Sequence, residues 1–344
     1  MGIWGFVRSK WLYLLILVLA LALPLAHPNR YWFQVVIISL VWSIATLSLN
    51  LILGYTGQPS LAHGAYFGVG AYAVGLLTLK LHMSFWLALP TAGVLAALVG
   101  LIIGVPSMRM RGHYFAIGTL CFGVIIYTIA GNWMELTGGF TGLLGIPNPN
   151  AIPIPGIGRI SFANQINQYY LVLVLLLITL FVMHRIVYSL VGYGFMAIRN
   201  NEVLAAAVGI NTFRNKLLSL TISNFIVGVA GGLYAVILGS ISPSAAHFNI
   251  TFYLLLYLLL GGVASLAGPI LGAFALPLIM ENLQFISEYR NLVFGPLLII
   301  VIIYWPRGVM GGLVDLKQRV QNYYQFRKAG AARAVASAET DQAI

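Results

Sequence analysis

Residues 31–53 read YWFQVVIISLVWSIATLSLNLIL and contain no charged side chain. A helix of this length rises about 35 Å, at 1.5 Å per residue, and so crosses the roughly 30 Å hydrocarbon core of a bilayer. Similar apolar runs recur along the 344-residue chain, which is 60% hydrophobic and only 7% charged. A soluble domain has about 25% charged residues. The sequence therefore predicts an all-α, polytopic membrane bundle.

The apolar runs indicate about ten membrane spans, with eight as the alternative count. They lack the alternation with a period of two that marks the strands of a membrane barrel. Residues 261–269, GGVASLAGP, are too rich in glycine for a regular helix and predict a break or re-entrant turn inside the membrane. The predicted spans are 11–27, 31–53, 60–80, 85–105, 114–131, 168–188, 216–240, 251–263, 268–285 and 290–305.

Glycines recur at helical spacing within several of these runs. A Gly-x3-Gly spacing lets two helices approach closely, because no side chain stands between their backbones. The pattern therefore predicts a tightly packed bundle, with the close contacts at Gly64, Gly68, Gly70, Gly228, Gly231, Gly232, Gly268 and Gly272.

The basic residues indicate how the spans are oriented. The chain has 18 Lys and Arg against 7 Asp and Glu, a net charge of +11. Ten alternating spans place 14 of these cations on the side of the N-terminus and leave only Arg30, Lys80, Arg159 and Arg290 on the other side. Cytoplasmic loops carry the excess of Lys and Arg, so both termini are predicted to be cytoplasmic. The positive charge is thus a topology signal and does not indicate a nucleic-acid partner.

Several kinds of chemistry are missing from the sequence. None of the lysines follows a glycine, so the chain has no Gly-Lys-Ser/Thr loop for ATP hydrolysis. Only Glu281 among the acidic residues falls within a predicted span, which disfavours an ion-coupled transporter. The histidines lack metal-ligand spacing, and the single cysteine, Cys121, is predicted to be an inert, buried thiol. We expect no catalytic residue, no metal and no cofactor.

A polar stretch, GQPSLAHG at 57–64, separates the second and third apolar runs. Unwound backbone at membrane depth is tolerated where protein or a water-filled cavity satisfies it, and such breaks build transporter binding sites. On this interpretation Gln58, Ser60 and His63 line or border a translocation path. The alternative is an ordinary cytoplasmic turn, and the sequence does not separate the two.

Residues 192–211, GYGFMAIRNNEVLAAAVGIN, predict a short helix outside the membrane. Asn200 or Asn201 can cap this helix. Glu202 suits the positive end of its dipole, and Gly209 can end it in a left-handed conformation. The helix is apolar and about eight residues, or about 12 Å, long. It therefore needs a protein partner or, as the alternative, lies on the lipid headgroups.

Together these segments resemble the LivM-type inner-membrane permeases of branched-chain amino acid ABC importers. The resemblance covers nearly all of residues 30–313. The segments that carry it are LGYTGQPSLAHGAYFGVGAY (53–72), MRGHYFAIGT (110–119), TGGFTG (137–142) with GIP (145–147), MAIRNNE (196–202) with GIN (209–211), LGGVASLAGP (260–269) and WPRG (305–308).

The resemblance implies a heterodimer with a LivH-like second permease subunit, two cytoplasmic ATPase subunits and a periplasmic substrate-binding protein. The permease domain is expected over 1–313, with a cytoplasmic coupling loop at 189–215, and 314–344 is expected to be a partly disordered cytoplasmic tail. The helix from Asn201 to Gly209 resembles the coupling helix that sits in a groove of the ATPase, with Glu202 and Ala205 helping to hold it. Ala206 stands where the family has a second acid, which is a departure from the pattern.

The resulting hypothesis is a permease subunit of the bacterial inner membrane that moves leucine, isoleucine or valine inward by alternating access, driven by ATP hydrolysis on partner subunits. Permeases for urea and other short amides are similar across the same segments, so the resemblance does not identify the substrate. An ion-coupled secondary transporter and a passive channel are the alternatives from other classes.

Overall fold

The computed structural model describes residues 29–110, 112–154 and 158–282, with isolated helical positions at 18, 20–24, 296, 299, 303, 308 and 311. Apart from those positions, the first and tenth predicted spans and the tail at 314–344 lie outside the described residues. Each of the second to ninth predicted spans coincides with a helix.

The described elements follow one another in this order: α1 (Arg30–Leu49), a π-helix (Asn50–Tyr55), α2 (His63–Leu79), α3 (Phe85–Ser107), α4 (His113–Asn132), α5 (Met134–Thr137), a 3-10 helix (Gly139–Thr141), β1 (Leu143–Leu144), β2 (Ile152–Ile154), β3 (Gly158–Ile160), α6 (Gln165–Val187), α7 (Leu190–Asn200), α8 (Glu202–Ala207), α9 (Thr212–Leu238), β4 (Ser240–Ile241), a second 3-10 helix (Pro243–Ala246), α10 (Phe248–Gly261) and α11 (Gly268–Asn282).

The fold is a helical membrane bundle, as the sequence predicts. The helical stretches long and apolar enough to cross a membrane are Arg30–Tyr55, Phe85–Ser107, His113–Asn132, Gln165–Val187 and Thr212–Leu238. α10 and α11 are shorter apolar helices. The irregular residues 262–267 lie between them, so the break predicted at 261–269 is confirmed.

α1 and α9 form the centre of the bundle. Most of their residues are buried, whereas only about a quarter of the residues of α4 and α6 are. Helices that are apolar on all sides suit both positions, because lipid tails are as apolar as the side chains of a core. Cys121 is exposed on the outer surface of α4. The prediction of a buried thiol is therefore wrong, since its apolar run belongs to a peripheral helix.

Small residues let α2 and α9 pack backbone against backbone. A Cβ atom on Gly70 would overlap the carbonyl of Gly228, and one on Gly231 would overlap the carbonyl of Phe67. The same kind of contact joins α10 and α11, where a Cβ on Gly272 would overlap the carbonyl of Tyr257. The close packing predicted from the glycine spacing is confirmed at these positions.

Two short antiparallel strand pairs lie at one end of the bundle. β1 pairs with β4, which places Leu143 opposite Ile241. β2 and β3 form a hairpin, with Ile152 opposite Ile160. α9 begins just after α8, and its 27 residues rise about 40 Å before β4. The strands and α8 are therefore at opposite ends of the bundle.

Candidate functional site

Two interruptions of the helical backbone meet beside the π-helix. The first is the irregular stretch Thr56–Ala62 between the π-helix and α2, and the second is Gly262–Ala267 between α10 and α11. Asn50, the first residue of the π-helix, joins them. Its Nδ2 donates to the carbonyl oxygen of Ser265 at 2.7 Å, and its Oδ1 accepts the backbone N–H of Ala264 at 2.9 Å.

The second interruption is held in a strained conformation. Ala264 has φ +59°, a left-handed backbone that costs a residue with a Cβ about 1 kcal/mol or more. The Asn50 amide satisfies the backbone groups of Ala264 and Ser265 at this point. Our sequence reasoning missed Asn50. The signal in the sequence was an amide side chain in a largely apolar and hydroxyl-bearing run. The hydroxyls can bond carbonyls of their own helix, as they do at Ser39, Ser43, Thr46 and Ser48.

The first interruption is buried within the protein. Neighbouring helices satisfy its backbone at Leu61, because Thr119 of α4 accepts the Leu61 N–H and Thr251 of α10 donates to the Leu61 carbonyl oxygen. Gln58 and Ser60 are almost completely buried. The Oε1 atom of Gln58 and the Oγ atom of Ser60 have no hydrogen-bond partner among the described residues.

His63 is fully buried at the start of α2. Its Nε2 atom lies 2.8 Å from the Oγ atom of Ser48 on α1, and Ser223 of α9 donates to the carbonyl oxygen of Ser48 at 2.6 Å. Within the described part of the chain, the His63 Nδ1 atom has no partner. The structure thus places Gln58, Ser60 and His63 in one buried, polar and incompletely bonded region.

The helix expected from Asn201 to Gly209 is present and is shorter than predicted. Asn201 caps α8, and its Oδ1 atom accepts the N–H of Leu204 at 2.9 Å. Glu202 forms an ion pair of 2.6 Å with Lys216 of α9. Ala205 is buried beneath the helix. Gly209 ends the turn with φ +89°, so the expected left-handed end is confirmed.

α8 turns an apolar surface outward. Val203, Leu204 and Val208 are 76%, 62% and 70% exposed. Its six residues are far too few to span a bilayer. The side of α8 that carries Ala205, by contrast, packs on the protein. α8 therefore presents apolar side chains at one end of the bundle while the Glu202–Lys216 ion pair fixes its base.

The end of α7, which leads directly into α8, is in contact with the first interruption. A Cβ atom on Gly57 would lie 3.0 Å from the Cγ atom of Arg199, at the end of α7. Thr56 and Ser219 of α9 are joined by a hydrogen bond of 2.7 Å between their hydroxyls. A small cavity of about 90 Å³ between these elements is lined by Gln58 and by both members of the Glu202–Lys216 pair.

These features define a multi-pass helical membrane protein with a broken, polar interior and an external apolar helix, which is the class of a membrane permease. The chain belongs to the family described as the branched-chain amino acid transport system permease component, whose model matches residues 31–302.

Relatives of both permease types are similar to this chain. It is 32% identical to the high-affinity branched-chain amino acid transport system permease protein LivM of Escherichia coli K12, over 88% of this chain and 75% of the relative. It is 23% identical to a probable LivM permease of Methanocaldococcus jannaschii, over 78% and 90%. It is 28% identical to a probable LivH permease of the same organism, over 73% and 79%. No solved structure matches the chain.

Proposed function

We propose that the chain is the LivM-type permease subunit of a binding-protein-dependent ABC importer that carries branched-chain amino acids inward by alternating access. The observation that carries the mechanism is the contact of the α7–α8 segment with the buried interruption at Gly57. A partner that moves α8 would displace the backbone at Gln58, Ser60 and His63. The relatives named as branched-chain amino acid permeases support the substrate.

The proposed complex contains a LivH-like second permease, two ATPase subunits and a substrate-binding protein. The exposed Val203, Leu204 and Val208 fit the apolar groove of an ATPase subunit, since an exposed apolar patch of this kind marks an interaction site. The matches to LivH relatives support a second permease of the same family. ATP hydrolysis belongs to the ATPase subunits in this proposal.

The proposed topology has about ten spans with both termini in the cytoplasm of a bacterium and the protein in its inner membrane. The distribution of Lys and Arg supports it. α8 then lies on the cytoplasmic side, and the strand pairs lie on the periplasmic side. The paired loops that hold β1 and β4 are the proposed docking face for the binding protein.

Docking of the ATPase through α8 is tested by Gly209→Val. A β-branched residue at φ +89° costs about 1–2 kcal/mol. If the ATPase binds only the form of α8 that ends in this turn, docking should weaken about 5- to 30-fold. The measurement is the amount of ATPase subunit that co-purifies with the affinity-tagged permease pair.

Gly145→Val is the matched control, because Gly145 also has a left-handed backbone and open space around its Cβ position but lies beside β1, at the other end of the bundle. It should leave co-purification unchanged. Equal recovery of ATPase with Gly209→Val and wild type would contradict the role of α8.

The translocation path is tested with single cysteines at Gln58, Ser60 and His63 in a Cys121→Ser background. These positions are buried in the structure, so a membrane-impermeant thiol reagent should react slowly in the resting complex. If ATP and loaded binding protein populate a state in which the path opens, labelling should rise about tenfold or more.

Ile44→Cys provides the comparison, because Ile44 is equally buried but lies in the apolar core of α1. It should stay unreactive in every state. Labelling at 58, 60 and 63 that does not respond to ATP and binding protein would remove these residues from the path.

A further inference from the structure

A second, larger cavity lies at the end of the bundle opposite α8. Its volume is about 570 Å³, within the range of small-molecule sites. The wall is built by α4, β1, α9, β4 and the start of α10, through residues that include Tyr127, Leu144, Leu238 and His247. The residues of the proposed path, Gln58, Ser60 and His63, do not line this cavity.

The wall is held by backbone pairing and by side-chain contacts. β1 and β4 pair across it, and a Cβ atom on Gly142 would overlap the carbonyl of Ile241, so the two loops cannot separate by a side-chain rearrangement alone. The ring of Tyr127 packs edge-on against His247, with 4.8 Å between ring centroids. A cavity with walls fixed in this way is largely pre-formed, as ligand sites usually are.

The lining combines neutral polar groups with aliphatic ones. Among the described residues that line the cavity there is no Asp, Glu, Lys or Arg. Hydroxyls come from Ser242 and Ser244, which are hydrogen-bonded to each other at 2.6 Å. The aliphatic side chains of Leu144 and Leu238 form another part of the wall.

His247 adds a neutral donor to this lining. Its Nδ1 atom accepts the backbone N–H of Asn249 at 3.3 Å, which leaves the ring proton on Nε2. Partial burial lowers the pKa of the His247 imidazole below its usual value, which favours the neutral ring. A lining without net charge favours a solute without net charge.

We propose that this cavity is a low-affinity binding site for a neutral, zwitterionic amino acid with an aliphatic side chain. The hydroxyls and His247 contact the ammonium and carboxylate groups, and the leucines contact the side chain. The inference rests on the proposed function. In it the cavity is a vestibule, which receives the amino acid from the binding protein before the amino acid enters the path at Gln58, Ser60 and His63.

Binding is tested on the purified complex without nucleotide or binding protein. Thr141 lies on the exposed rim of the cavity, and Thr141→Cys in a Cys121→Ser background gives one alkylation site there without removing a side chain assigned to the amino acid. Leucine should slow alkylation by a factor that grows as 1 + [leucine]/Kd, whereas glutamate and lysine at equal concentration should not. Ser161→Cys, exposed at the same end but outside the cavity, should show no protection.

The vestibule role is tested by leucine uptake into vesicles that contain the whole complex. Leu144→Trp narrows the cavity and should reduce uptake about fivefold or more, a loss of about 1 kcal/mol. Phe140→Trp is the matched control, since Phe140 has the same exposure as Leu144, 67% against 66%, and does not line the cavity.

The two proposals fail in different ways. The cavity site is overturned, and the proposed function is left standing, if Thr141→Cys is alkylated at the same rate with and without leucine in a complex that still takes up leucine with ATP. A wild-type complex that takes up no branched-chain amino acid with ATP overturns the proposed function and the vestibule role together.

Discussion

Gly231→Ala is expected to destabilise the protein by about 3 kcal/mol or more, although alanine is the better helix former by about 1 kcal/mol. Gly231 is buried in the second half of α9, where its added Cβ would overlap the carbonyl of Phe67 on α2. The backbone fixes the position of a Cβ atom, and the carbonyl is itself part of the backbone, so no rotamer change relieves the overlap. The helices must move apart, and the dispersion contacts along their interface weaken together.

The control for this prediction is Gly123→Ala on α4. Its Cβ would lie 3.4 Å from the nearest atom, the Cα of Ala62, which is an ordinary van der Waals contact. The chemical change and the gain in helix propensity are the same at both positions. We expect the midpoint of thermal unfolding in detergent to fall by several degrees for Gly231→Ala and to stay equal or rise for Gly123→Ala. Similar midpoints for the two variants would contradict the backbone contact between α2 and α9.

Such contacts show how far the sequence alone predicts this fold. The absence of a side chain can be read directly from the sequence. Glycine spacing therefore indicated that helices approach closely at Gly70 and Gly231. It did not indicate which helices meet. The pairing of α2 with α9 depends on residues more than 150 positions apart, and with apolar side chains on every face the helices carry no pattern that selects one neighbour.

The same distinction separates what was predicted correctly from what was missed at the site. The cap at Asn201 and the left-handed turn at Gly209 follow from local preferences, and both are present. The exposure of Cys121 depends on which face of α4 points outward, and an apolar run does not contain that information. The contact between Gly57 and Arg199 is equally non-local. The assignment of Gln58, Ser60 and His63 to a path stays a prediction, and the sequence did not indicate the contact of this stretch with the α7–α8 segment.

Asn50→Leu is expected to reduce ATP-driven leucine uptake about tenfold, a larger loss than its effect on assembly of the complex. A leucine side chain has the same branched arrangement of heavy atoms as asparagine, although it is bulkier, and it removes the bonds to Ser265 and Ala264. Two partly buried backbone groups lose their partner, at a cost of about 1–3 kcal/mol. Without these hydrogen bonds nothing offsets the strain of Ala264 at φ +59°. The turn between α10 and α11 should therefore relax and separate from the π-helix.

The rescue of this variant by a second substitution isolates the cause. Glycine adopts φ +59° without the cost that a Cβ imposes, so Asn50→Leu with Ala264→Gly should regain part of both uptake and thermal stability. Asn132→Leu, whose amide bonds only Thr128 of its own exposed helix end, should alter neither measurement substantially. If Ala264→Gly fails to improve Asn50→Leu, the left-handed turn is not what Asn50 maintains. Its two hydrogen bonds would then act only as a link between α1 and the α10–α11 junction.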